Sequence, residues 1–488
     1  MANSARSSRT PPGWLETWMR TFRRWWAVTW RSLQLPTHRH ALGWWLGTRG
    51  FLFLVWAVVG FQTQGDVIYY YQSIYRLFHG APASAVLIEY PTPLIWLLTI
   101  PYVLGWGTMT GYILIFVFLF VAGDALMGYV LWRSARQFGT NPRPAAAFWI
   151  WFVLLMGPIT YMRLDFLTAA LTAAGLVAVV RKHRLTSGAM VGLGAAIKLW
   201  PALMWPATMG DKRAVKRASV GFFGMGAAMA IASLVYAGWK RLISPLTWQS
   251  DRGLQIESIY ATPAMIARLF DPFTWQVADS KYNAFQISGP GTVFLTEVAS
   301  AATVLGGVVM IVLYIGWLRR RDRTPIEAGT LMVIATLIMI ITNKTFSPQY
   351  MIWLTGPVAV LLTISAKHPD LLPRQGHLFS RATAANHLTG RDHLLEPLTL
   401  ARRITMWILF LTALTQLIYP VMYRHLILVT WFTPAATAVL AVRNVGLAYF
   451  SVRLIILAFR SISFPRTRPR PDRKAVDPTT TEIAEAEA

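Results

Sequence analysis

Residues 108–132, TMTGYILIFVFLFVAGDALMGYVLW, decide the fold class. Asp124 is the single charge in the stretch. As a helix it reaches about 37 Å, more than the ~30 Å of bilayer hydrocarbon. Arg133 and Arg136 follow directly and Arg143 lies beyond, so the positive-inside pattern puts this end in the cytoplasm. The rest of the chain has the same character. Of its 488 residues, 55% are hydrophobic and only 14% charged, and the mean hydropathy is +0.44. That excludes a soluble globular protein and a disordered one. With no water to satisfy open sheet edges in lipid, the spans must be helices, and the chain reads as an all-α polytopic membrane protein.

Outward from that span, the pattern predicts a first crossing at 44–61 and a polar stretch at 66–90 with a helix over Val67–Phe78. The apolar run 94–104 is too short to cross and predicts a half-helix or re-entrant piece. Crossings follow at 145–162 and 166–180. Residues 188–210 lie between two basic clusters and predict a hairpin of short helices broken around Lys198 and Pro201. Further crossings fall at 220–237, 289–318, 327–341, 349–366, 404–422 and about 430–459, separated by an outer loop at 240–288. The total is about ten full spans plus half-helices, with both termini in the cytoplasm.

In domain terms, 1–43 is a basic, aromatic segment lying on the membrane, and 44–366 is a membrane module. Residues 367–403 form a cytoplasmic loop, 404–459 the C-terminal membrane helices, and 460–488 a disordered tail. The excess of 46 Lys and Arg over 21 Asp and Glu gives a net charge of +25. Because the bases fall between apolar runs, they read as topology signals and contacts to anionic lipid headgroups, with nucleic acid excluded as a partner.

Groups able to do chemistry gather on the outer face, where charges near lipid favour a functional site. Asp66 opens the first outer stretch. An ionised carboxylate there can take a proton from a hydroxyl, or it can cap the following helix. Tyr69, Tyr70 and Tyr71 suit an interfacial aromatic belt or a sugar-stacking platform. Tyr90-Pro91-Thr92-Pro93 is a stiff turn into the half-helix. Arg163 and Asp165 sit at an outward tip, where Asp165 is expected to orient Arg163 and the Arg163 fork suits a phosphate. Arg252 and Lys344, at outer boundaries, can hold a lipid phosphate. Lys198 reads as a snorkelling side chain near the cytoplasmic surface.

The absences narrow the chemistry. No P-loop motif is present, so no ATP-driven pump is indicated. There is no D-x-D pair and no H-E-x-x-H. The chain has no Cys, which excludes disulfides and thiolate catalysis. No metal site is assigned and no cofactor is expected.

Six segments in order resemble the actinobacterial branch of glycosyltransferase family 87, transferases of the GT-C fold that use polyprenol-phosphate sugars. They are Gly65-Asp66-Val67-x-x-Tyr70, Glu89-Tyr90-Pro91-x-Pro93, Arg163-x-Asp165, Gly192-x-Gly194-Ala195-Ala196-x-Lys198-Leu199-Trp200-Pro201, Asp251-Arg252-Gly253-Leu254-Gln255-x-Glu257-Ser258, and Asn343-Lys344-x-x-Ser347-Pro348-Gln349-Tyr350. Thr92 stands where the family often has a second proline.

The resemblance implies inverting transfer of a sugar, commonly mannose, from a polyprenyl-phosphate carrier to a glycolipid or polysaccharide acceptor on the extracellular or periplasmic face of the plasma membrane. Asp66 matches the catalytic aspartate. Arg163, Arg252 and Lys344 are candidates for the donor phosphate. Tyr69, Tyr70, Asp165, Glu257 and Gln349 are candidates for sugar or acceptor contacts. Two other classes stay open on the residues alone. A lipid-linked sugar flippase would need a polar pathway, and the mid-span charges Asp124, Lys198 and Glu297 show no obvious pairing. A non-enzymatic envelope scaffold would leave the outer polar residues unassembled.

Overall fold

The computed structural model describes residues 38–59, 63–210, 213–250, 252–280, 284–320, 323–365 and 397–463. The expectations for 1–37, for 366–396 within the cytoplasmic loop, and for 464–488 lie outside the described residues. The chain is helical almost throughout. The elements are α1 (His38–Val59), α2 (Gly65–Phe78), α3 (Pro93–Leu104), α4 (Met109–Gln137), α5 (Arg143–Met156), α6 (Asp165–Val180), α7 (Arg184–Ile197), α8 (Ala214–Ser250), α9 (Thr262–Ala267), α10 (Thr292–Arg319), α11 (Pro325–Thr342), α12 (Thr355–Ser365), α13 (Pro397–Gln416), α14 (Tyr423–Ile427) and α15 (Thr433–Ser463). A two-stranded antiparallel hairpin, β1 (Gln276–Asp279) and β2 (Phe285–Ser288), pairs Gln276 with Ser288 and Asp279 with Phe285. It is the one sheet among the described residues.

Eight of these segments are long and apolar enough to cross a membrane, and the chain is a multi-pass membrane protein. Two further expected crossings are short. α6 has 16 residues and α12 has 11, the latter entered through a 3₁₀ turn at Pro348–Leu354. At 1.5 Å per residue, α6 extends about 24 Å, less than the hydrocarbon thickness. Both are buried among other helices, so neither has to match the bilayer by itself. The half-helix reading holds: α3 is a 12-residue helix with Pro93 in its first turn.

The segment 239–250 corrects the outer-loop expectation. α8 continues through it after a turn at Gly238, whose φ of +79° suits a residue without Cβ. Arg241 is buried, donating to the carbonyls of Tyr90 and Leu87, each at 2.7 Å.

α6 and α7 form an antiparallel pair. Gly175 lies against Ser187 and Val191, and Asp165 meets Lys198 at the far end. α7 then lies unusually close to α8. A Cβ on Gly188 would stand 1.8 Å from the Ala218 carbonyl oxygen, and one on Gly221 would stand 2.1 Å from that of Leu185. Small residues are what let helix backbones approach this closely in a membrane.

The depth of α6 matters for function. Its C-terminal neighbour Arg181 donates to Ser134 and Gln137 at the end of α4, and its second residue, Phe166, lies against Gly123. Asp165 is therefore level with the middle of α4. Met109 is about 21 Å further along that helix. This corrects the placement of residues 161–166 at an outward tip.

Asp124, expected to lack a partner, is fully buried and accepts five hydrogen bonds: from Arg49 Nε (2.8 Å) and Nη2 (2.9 Å), Trp45 Nε1 (3.0 Å), Trp149 Nε1 (2.6 Å) and Tyr161 Oη (2.7 Å). The cluster fastens α1, α4, α5 and the 3₁₀ turn Gly157–Tyr161 to one another. Each donor is spent inside the bundle, so Asp124 offers no polar pathway.

Candidate active site

Asp66 stands in the first turn of α2, where an acidic side chain meets the positive end of the helix dipole. It is not the cap: Gln64 holds that position, and no side-chain cap bond forms. The Asp66 carboxylate instead pairs through Oδ2 with Arg163 Nε at 3.0 Å. Its side chain keeps 33% exposure while that of Arg163 keeps 9%. Arg163 Nη1 donates to the carbonyls of Thr63 (3.3 Å) and Met162 (3.2 Å). Burial opposes the Arg163 charge, and Asp66 together with Tyr419, Tyr70 and Tyr90 outweighs it, holding the guanidinium above its ordinary range.

The tyrosines divide between three partners. Tyr69 Oη donates to Glu89 at 2.7 Å, Tyr71 Oη to the Gly107 carbonyl at 3.0 Å, and Tyr70 Oη shares a 3.2 Å hydrogen bond with Tyr90 Oη. Tyr70 is buried, so it offers no stacking face to a sugar. Burial pushes the Tyr70 and Tyr90 hydroxyls up, and the charge of Asp66 adds to this for both. Burial and then Glu89 do the same for Tyr69. Tyr69, one helical turn beyond Asp66, lines an open hollow of about 570 Å³ with Gln72 and Arg76.

Asp165 does not orient Arg163, contrary to expectation. It accepts from Lys198 Nζ at 2.7 Å and from Trp353 Nε1. Lys198 does not snorkel toward the basic clusters either. The α6–α7 hairpin carries it to the opposite end, over the rings of Trp353 (5.6 Å) and Tyr350 (6.0 Å). Trp353 stacks between Trp200 (4.9 Å) and Tyr350 (4.0 Å). Five of the six sequence segments thus share this corner, Tyr350 bringing in 343–350, although the carboxylate and its lysine are distant in sequence.

The remaining segment, 251–258, meets 343–350. Gln255 N donates to the Lys344 carbonyl at 3.2 Å, and Gln255 Nε2 to Ser347 Oγ at 3.1 Å. Residues 254–256 run along the hairpin, with Ile256 N on Phe285 O and Ile287 N on Leu254 O. Arg252 and Lys344, both half-buried, are therefore carried by adjoining backbones. Glu257 is fully buried and faces Arg443 at 3.6 Å. Burial pushes its carboxyl up to about 7 against the opposing pull of Arg443. Gln349 is half-buried on the 3₁₀ turn beside Tyr350 and makes no side-chain hydrogen bond among the described residues.

The two halves adjoin at Tyr419, which is within electrostatic reach of Arg163, Asp66 and Glu257. Arg252 and Lys344 belong to the half built from 252–258 and 343–350. Sequence reasoning passed over Tyr419, Arg443 and the Lys198–aromatic cluster. Tyr350 stood in a quoted segment and was the available signal for the cluster. No group of three or more His, Cys, Asp or Glu suited to a metal occurs among the described residues.

A family model described as Glycosyltransferase family 87 matches residues 88–343. No curated protein matches the chain. Among solved structures, the chain is similar to ArnT from Cupriavidus metallidurans in the apo state, at a TM-score of 0.33 and 15% identity over 86% of this chain and 78% of that one. The same protein bound to undecaprenyl phosphate is matched at a TM-score of 0.34 and 14% identity, with the same coverage.

Proposed function

The chain belongs to glycosyltransferase family 87, and from that membership we propose an inverting transfer of a sugar, commonly mannose, from a polyprenyl-phosphate carrier to a glycolipid or polysaccharide acceptor at the outer face of the plasma membrane. The observation that carries the reading is the Asp66–Arg163 pair. A one-third exposed carboxylate, with one oxygen held and the other open, is suited to receive a proton from an acceptor hydroxyl.

The step is a single displacement. The acceptor oxygen bonds to the anomeric carbon as the bond from that carbon to the carrier phosphate breaks. The proton passes to Asp66, and the departing phosphate keeps the electron pair. No protein nucleophile is required. Negative charge grows on the phosphate oxygen, and fixed cations nearby stabilise it. Arg163 has Nε on Asp66 and Nη1 on two carbonyls, so its part is to position the base. Arg252 and Lys344 are the phosphate candidates, and Lys198 joins them as a cation at the floor of the site. Tyr69 and the adjoining hollow suit the acceptor. Basic clusters at the other end of the bundle suit anionic headgroups.

The reading is favoured over transport because the mid-span charge Asp124 is satisfied by Arg49 inside the bundle. It is favoured over a scaffold because Asp66, Arg163, Tyr70 and Tyr90 assemble. The test is transfer by purified protein from radiolabelled polyprenyl-phosphate mannose to membrane acceptors, with arabinose and glucose donors beside it. Asp66→Asn should lower the rate by about 10²–10⁴. Full activity in that variant removes the base assignment, and preference for another donor replaces mannose.

A further inference from the structure

The C-terminal helix α15 lies beyond the residues matched by the family model, yet it reaches into the site. Arg443 and its neighbour Asn444 are buried to within 1% of complete. Arg443 Nη2 donates to the Glu257 carbonyl at 3.0 Å and lies 3.6 Å from the Glu257 carboxylate. The guanidinium sits over the Phe346 ring at 4.2 Å. Asn444 Nδ2 donates to the carbonyls of Glu257 (3.3 Å) and Ser258 (3.2 Å) and to Thr262 Oγ1 (2.8 Å). One pair of residues thus grips both segments that carry the phosphate candidates: 252–258, with Arg252, and 343–350, with Lys344.

We propose that Arg443 and Asn444 are positioning residues that fix the backbones of Arg252 and Lys344 for the carrier phosphate. The proposal rests on the transferase reading given above. A buried arginine spent on a carbonyl and an aromatic face, with its carboxylate partner at 3.6 Å, is arranged to hold chain segments more than to form a tight ion pair. Because a planar fork cannot be replaced by a point charge at such a place, Arg443→Lys does not restore the arrangement.

The test compares Glu257→Gln, which keeps the Arg443 contacts to the residue 257 carbonyl and the Phe346 ring, with Glu257→Gln/Arg443→Met, which removes them. Three quantities are read: the Kd for undecaprenyl phosphate, and kcat and KM for the sugar donor. The double variant should weaken phosphate binding and raise donor KM by about tenfold beyond the single variant, with kcat little changed, as expected of a displaced binding group. Phe346→Leu, which keeps apolar bulk but removes the ring, should shift KM in the same direction and serves where the double variant does not fold. Equal Kd and KM in all three variants overturns the clamp while leaving the transferase reading intact. Wild-type protein that binds no polyprenyl phosphate and transfers no sugar overturns both.

Discussion

Glu257 shows how a residue's setting becomes a measurable property. Its carboxyl is held near 7 by burial, against about 4.3 in an unfolded chain. In the window between, the folded state binds the additional proton. This contribution to stability is therefore fully present below the lower value and is lost as pH rises through the upper one. Melting in detergent should fall with rising pH over about 4–7, and Glu257→Gln should flatten that slope. An unchanged slope removes Glu257 as its source. Arg163→Ala should leave Asp66 unaligned and lower transfer by about 10²-fold, while Arg163→Lys recovers little, because the Nε–carboxylate contact belongs to the fork. Asp66 was legible because a charge directly after an apolar run has few explanations. Its partner was not: Arg163 is nearly a hundred residues away, and for Arg163 the neighbouring Asp165 was the natural guess. Arg443 was illegible for another reason. A lone arginine in an apolar helix looks like a topology signal until its contacts are seen.

At the scale of elements, helix approach and buried charge set the tolerances. The contact of α7 with α8 leaves no room for a methyl group at position 188. Gly188→Ala should therefore destabilise the protein by about 1–3 kcal/mol through forced separation of the two backbones. A melting temperature equal to wild type would contradict this. The Asp124 cluster makes a sharper demand. Asp124→Asn leaves the Arg49 guanidinium buried with its charge uncompensated, and a loss of about 3–5 kcal/mol is expected. Alternation of apolar runs and basic clusters located nearly every helix, including the half-helix α3 and the break at Lys198. It failed at 240–250, where a charge that looked solvated is satisfied by carbonyls of another segment. It also overestimated α6 and α12 as independent crossings. Burial inside a bundle removes the length requirement that hydropathy assumes.

At the scale of the molecule, the absence of cysteine makes sidedness directly measurable. Phe273→Cys lies in the hairpin region and Lys216→Cys beside a basic cluster, both at exposed positions. Under the proposed orientation, an impermeant thiol reagent should modify the first in intact cells and the second only after lysis. The reverse pattern would invert the site to the cytoplasm. The placement of Asp165 beside the midpoint of α4 has a geometric corollary. Asp165 and its partner Lys198 lie about 21 Å along α4 from the Met109 end, so under the proposed orientation a small reagent would reach that pair from within the bundle and not at the level of the helix tips.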